Sequence, residues 1–151
     1  MTGNKPPSSN EIEAANRAEA TAILIRGGIR VYRPEADVSG EDLVVRKPDG
    51  ELLSVQMKGR PMVHWSRYGG HNIWMLFPDP AGAVPGRPWF LIKHDELFDW
   101  LKEQHGAAPG WAQRANARLA EWSERRLPDN LRKFLQPFML RVAAAPHKGR
   151  R

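Results

Sequence analysis

A single α/β domain is the architecture the sequence predicts: a mixed, mostly antiparallel sheet of about four to five strands flanked by helices, with a helical C-terminal extension. Three observations predict it. Two β-rich runs flank Pro48-Asp49-Gly50, a continuous apolar run covers residues 72–77, and amphipathic stretches lie before and after these runs. At 151 residues the chain is one ordinary domain, since two separate cores would each be marginal. Residues 1–10 read as a flexible segment, 11–104 as the α/β core, 111–143 as a helical part of the same domain, and 144–151 as a basic tail.

The first helix is expected over residues 10–26. Asn10 is the candidate N-cap with Glu13 three residues on, a capping-box spacing. Ala14, Ala15, Ala18, Ala22 and Ile25 form its apolar stripe, and Gly27-Gly28 ends it. A short strand follows over residues 29–33. Residues 42–47 and 51–58 then form a hairpin. Proline presets the first turn position, aspartate tolerates the second, and glycine accepts positive φ.

A three-residue loop of this kind pairs Lys47 with Glu51. Counting back pairs Arg46 with Leu52, Val44 with Ser54, and Asp42 with Gln56. Because side chains alternate along a strand, Asp42, Gln56 and Lys58 share one face, while Leu53, Val55 and Met57 occupy the other. A two-residue loop would shift the register by one and separate Asp42 from Gln56.

Residues 59–71 are basic and irregular. Residues 72–77 and 89–93 are strands, and 94–104 is a helix with Leu97, Trp100 and Leu101 on one face. A helix is expected over 111–126 with arginines outward, and Pro128 opens a shorter one to about Gln136. Residues 138–142 suit either a last strand or a helix end. Trp74, Trp89, Trp100 and Trp122 read as core.

Composition narrows the function. There is no cysteine, hence no disulfide, thiolate nucleophile or cysteine metal site. No apolar run reaches the roughly 18 residues of a membrane span, no apolar stretch near the start suggests a secretory signal, and a cytoplasmic protein is expected. The five histidines lack paired spacing, so a zinc site is not expected. Neither a Walker loop nor a Gly-x-Ser-x-Gly elbow occurs.

The net charge of +6 arises wholly after Asp129. Within the body, residues 34–51 carry six acids (Glu35, Asp37, Glu41, Asp42, Asp49, Glu51) against Arg46 and Lys47. Residues 52–94 carry five bases (Lys58, Arg60, Arg67, Arg87, Lys93) against Asp79. An acidic pole beside a basic one suits a site that holds a cation and faces a polyanion. Trp65 and Tyr68 interleave with Arg60 and Arg67, a pattern that stacks bases while contacting phosphates. Arg114, Arg118, Arg125, Arg126, Arg132, Lys133 and the tail offer a second basic surface.

A helix, a strand, and an Asp-bearing strand hairpinned to one carrying Gln-x-Lys resemble the PD-(D/E)XK nuclease superfamily, of restriction-endonuclease-like fold. The matching residues are Gly40-Glu41-Asp42-Leu43-Val44 and Val55-Gln56-Met57-Lys58, within a resemblance covering roughly residues 11–101. The likeness is closest to the subset with glutamine in the acidic position, among Mrr-like and related nucleases.

That resemblance implies a magnesium-dependent (or manganese-dependent) nuclease acting on DNA, with Asp42 and Gln56 as metal ligands and Lys58 serving the attacking water. A first-helix glutamate, Glu19 in preference to Glu13, would complete the shell. Arg60, Trp65, Arg67 and Lys93 would contact nucleic acid. Many such enzymes pair to cut both strands, which admits a homodimer. Two departures stand out: Gln56 is neutral where most relatives carry a carboxylate, and Glu41 replaces a proline often found before the aspartate. Some members of the superfamily have lost activity and only bind nucleic acid, so a catalytically inactive DNA-binding or partner-binding module is the alternative.

Overall fold

The computed structural model describes residues 3, 5–36, 41–108, 111 and 121–141, and the chain forms one α/β domain. Helix α1 (Ser9–Arg26) has its cap two residues earlier than expected. Ser8, not Asn10, is the N-cap: its hydroxyl accepts the Glu11 N–H at 3.2 Å while the Glu11 carboxylate accepts the Ser8 N–H at 2.9 Å. Serine and glutamate at this spacing satisfy two orphan donors reciprocally, and Pro6-Pro7 stop the helix from starting sooner. The inward face also differs from the expected alanine stripe. Ala20 and Leu24 are buried and Ile23 packs against their cluster, whereas Ala14, Ala15, Ala18 and Ile25 face solvent.

Strands β1 (Arg30–Tyr32), β2 (Leu43–Arg46), β3 (Leu52–Met57), β5 (Ile73–Pro78) and β6 (Trp89–Lys93) form one sheet in the order β1-β2-β3-β5-β6. The β1–β2, β2–β3 and β5–β6 pairs are antiparallel, and β3–β5 is parallel. The hairpin register is the expected one, with Arg46 opposite Leu52 and Val44 opposite Ser54. Gly50 closes the turn at φ +94°, donating its N–H to the Lys47 carbonyl at 2.9 Å. The Asp49 carboxylate accepts the Glu51 N–H at 2.9 Å, holding the corner from its own side chain.

The connection from β3 to β5 is more ordered than expected. It contains strand β4 (Met62–His64) and a single helical turn, α2 (Trp65–Tyr68). Strand β7 (Glu121–Ser123) pairs antiparallel with β4, replacing the helix expected to run through Arg126. Residues 112–120, including Arg114 and Arg118, lie outside the described residues, as do Asp37, Gly40 and the tail 144–151. Pairing with β4 decides the conformation of β7, since a three-residue segment has too little local helical stabilisation to resist it. Helix α3 (His94–His105) follows β6, α4 (Asp129–Leu135) starts behind Pro128, and a 3-10 turn covers Gln136–Phe138.

Two apolar clusters lie on opposite faces of the sheet. On one face α1 covers Leu43, Val45, Leu53, Val55, Met57, Leu76 and Trp89. On the other, α3, α4 and Tyr68 cover Ile73, Met75, Phe77, Phe90 and Ile92, and this cluster draws no buried residue from β1, β2 or β3. Among the described residues the second face is therefore covered over β5 and β6 but not over the β1–β2 half. Among the described residues no helix is long and apolar enough to cross a membrane.

Gly50→Val forces a β-branched residue into positive φ, and is expected to cost about 1–3 kcal/mol in urea denaturation. An unchanged midpoint would show that the corner relaxes without it.

Candidate functional site

The hairpin register carries Asp42 to the level of Gln56. One step before β2, Asp42 donates its backbone N–H to the Val55 carbonyl at 2.7 Å, extending the ladder. Its Oδ2 accepts the Gln56 Nε2–H at 3.0 Å and the Met57 backbone N–H at 3.0 Å. Gln56 is buried, and Asp42 is half-buried. The two side chains converge as parity required.

Lys58 follows on the same face. Its backbone N–H donates to the Leu76 carbonyl at 2.9 Å, and its Nζ lies 5.8 Å from the centre of the Tyr68 ring. The Arg67 guanidinium lies 5.4 Å from the same centre. A ring quadrupole attracts cations at this range and so limits where the ammonium can go. Tyr68 is buried, and its hydroxyl has no hydrogen-bond partner among the described residues. Nothing in the sequence set Tyr68 apart from its basic, aromatic neighbourhood.

The segment holding Tyr68 is anchored by a buried histidine. His94 Nε2 accepts the His64 backbone N–H at 3.0 Å, so the ring proton sits on Nδ1, 2.9 Å from Asp95 Oδ1. Burial holds the His94 pKa below its ordinary value, an effect that the Asp95 hydrogen bond and charge only partly offset. Asp95 also accepts the Gly70 N–H at 3.1 Å, tying the end of the segment to α3.

Glu19 is placed elsewhere. Its carboxylate accepts from Arg87 at 2.8 and 2.9 Å and from the Trp89 indole at 2.7 Å, while Arg87 also donates to Asn16 at 2.8 Å. Trp89 belongs to the cluster under α1, so this network occupies the sheet face opposite Gln56. Burial raises the Glu19 pKa, but the Arg87 and Trp89 hydrogen bonds and the Arg87 charge outweigh it, leaving it below the ordinary carboxylate value. Glu13 is exposed and pairs with Arg17 at 3.5 Å.

The nucleic-acid candidates divide. Arg60 is exposed just past Lys58, and Arg67 sits beside Tyr68. Trp65 opens α2 rather than lying in a loop, and packs its ring on Phe98 at 4.9 Å and His94 at 6.1 Å. Lys93 lies on edge strand β6 opposite Trp74, and alternation from buried Ile92 puts it on the α1 face. Lys93 is thus apart from the trio. Arg132 is tied to buried Asp79 at 2.9 Å.

The donor set fits a small hard cation in part. Magnesium ligands stand about 2.1 Å from the ion, so neighbouring octahedral ligands are roughly 3.0 Å apart. That is the spacing between the Gln56 amide and Asp42 Oδ2. Turning the amide over, a rotation about a soft terminal torsion, puts Oε1 where Nε2 now stands. Among the described residues no group of three or more Asp, Glu or His side chains gathers around a common point, so such an ion would rely on water and phosphate oxygens for its remaining ligands. Comparison of the chain with protein-family models, with curated proteins and with solved structures gave no match in any of the three.

The lowered Glu19 pKa has a pH consequence. Its contribution to stability is present above the unfolded value near 4.5 and is lost as pH falls through the folded value. Between pH 7 and pH 3 the wild-type melting temperature should therefore drop further than that of Glu19→Gln. Equal drops would mean that the Arg87 pair contributes nothing.

Proposed function

We propose that the chain is a metal-dependent nuclease of the PD-(D/E)XK type, acting on DNA in the cytoplasm through Asp42, Gln56 and Lys58. The observation carrying this reading is the convergence of Asp42 and Gln56 at 3.0 Å on the face that Lys58 shares. The resemblance implies a helix, three antiparallel strands, a crossover helix and a further strand; α1, the β1–β2–β3 meander and the parallel strand β5 support the reading, while the crossover carries only β4 and the single turn α2.

A magnesium or manganese ion held here would supply charge neutralisation at the phosphoryl group and would make a bound water more acidic than bulk water. Asp42, fixed by the Met57 N–H, would be the anionic ligand and Gln56 the neutral one. The Lys58 ammonium, held near the Tyr68 ring, orients the attacking water or stabilises charge developing on the phosphoryl oxygens. Arg60 and Arg67 contact the flanking phosphates.

One observation favours the catalytically silent module instead. The first-helix carboxylate that would complete the shell is committed to Arg87 and Trp89, leaving a single carboxylate in the trio.

Cleavage of supercoiled and linear DNA with magnesium or manganese separates the two. Lys58→Ala is expected to lose about a hundredfold or more in cleavage with an unchanged melting temperature. Cleavage retained in that variant overturns the nuclease reading, and DNA binding without cleavage by the wild type establishes the silent one. Asp42→Ala is a poorer test, because losing the acceptor of two N–H groups costs about 1–3 kcal/mol of stability.

Gln56→Glu gives a readout independent of activity. Two carboxylates at this spacing repel, so the variant should melt lower than wild type in chelator and gain more on adding magnesium. An equal magnesium response in both proteins would place the cation elsewhere.

A further inference from the structure

The uncovered half of the sheet face carries a feature that its own stability does not explain. Arg30 on β1 stands directly opposite Arg46 on β2, and both are exposed. Like charges in direct cross-strand register are destabilising. Neither arginine has an ion pair or side-chain hydrogen bond among the described residues. The cation beside them is different: Lys47 is neutralised by Glu51 at 2.9 Å and Asp49 at 3.6 Å. The pair borders an open depression of about 550 Å³, with Gly28, Pro48 and Gly50 among its other walls.

Alternation puts Arg30 and Tyr32 on β1 on the same face as Arg46 and Val44 on β2 and Asp42 just before it, because Leu43 and Val45 point under α1. Tyr32 is 46% exposed, and Leu52, opposite Arg46, is 61% exposed. From Arg46 to Asp42 is four residues, about 13 Å along the strand. One open surface therefore joins an unneutralised arginine pair, an exposed aromatic ring and the Asp42–Gln56–Lys58 trio.

We propose that Arg30 and Arg46 form a phosphate-binding subsite that holds a single-stranded nucleic acid across this face, with Tyr32 stacking on a base. Paired guanidinium groups suit a phosphodiester, whose charge removes their mutual repulsion. The exposed ring selects an unpaired strand, since a duplex keeps its base faces stacked internally. The proposal concerns binding and does not require that the trio cut.

The test is fluorescence anisotropy of labelled single-stranded oligothymidylate on the full chain in EDTA, where metal-dependent cleavage is silent. Arg30→Gln/Arg46→Gln is expected to weaken binding about tenfold and to flatten the log–log salt slope by about 1.4, the value for two lost phosphate contacts to a single strand. Its melting temperature should be unchanged or higher, because the repulsion is gone. Arg30→Lys/Arg46→Lys, which keeps both charges, should retain most of the affinity. Tyr32→Ala should weaken binding to the oligothymidylate more than to a duplex.

Unchanged affinity in the glutamine variant overturns the proposal. So does a loss confined to phosphatidylserine vesicles, a larger loss on duplex than on single strand, or a loss accompanied by a lower melting temperature. Failure of the wild type to cleave DNA would sink the nuclease reading and leave this result standing.

Discussion

The pairing of β2 with β3 is the constraint on which the rest depends. A three-residue corner closed by Gly50 puts Lys47 opposite Glu51, and every later pairing follows by counting. Because the side-chain period is two, a slip of one residue would turn Leu43, Val45, Leu53 and Val55 out from under α1. The same slip would separate Asp42 from Gln56. Core burial and site assembly are thus enforced by one register, and the apolar cost of misplacing several buried side chains protects a polar pair that would otherwise be weakly specified.

Glu19 and Asp42 meet opposite fates, and their surroundings explain why. Glu19 faces the apolar cluster under α1, where an unpaired charge is untenable, and a guanidinium and an indole N–H satisfy it. Asp42 faces the sparsely covered side, where an amide and a backbone N–H are among its partners. The first arrangement ties α1 to the loop before β6. The second leaves an amide that can turn about its terminal torsion.

The hairpin, its register and the parity of Asp42, Gln56 and Lys58 were legible because local turn chemistry and strand alternation dictate them. β5, β6 and α3 were legible for similar reasons, from apolar runs and helical spacing. The partners of Glu19 and Arg132 were not, since Arg87 lies 68 residues from Glu19 and Asp79 lies 53 from Arg132. No local pattern signals such pairs. Strands β4 and β7 were missed because each is three residues long and exists through the other. The α1 stripe was misplaced because alanines fit either face of a helix, and only the larger Ile23 and Leu24 show which face the sheet selects.

The neutral Gln56 changes the charge balance of the trio in a way its geometry makes consistent. Asp42 and Lys58 cancel, so the face needs no bound ion to be tolerated, and the amide hydrogen bond closes the site on itself. A carboxylate at position 56 would leave an uncompensated negative charge, 3.0 Å from another, on a half-covered surface. The positive charge of this face comes from Lys58, Arg60, Arg67 and the Arg30–Arg46 pair. Under the proposed reading, strand binding and catalysis are separable properties of one sheet face.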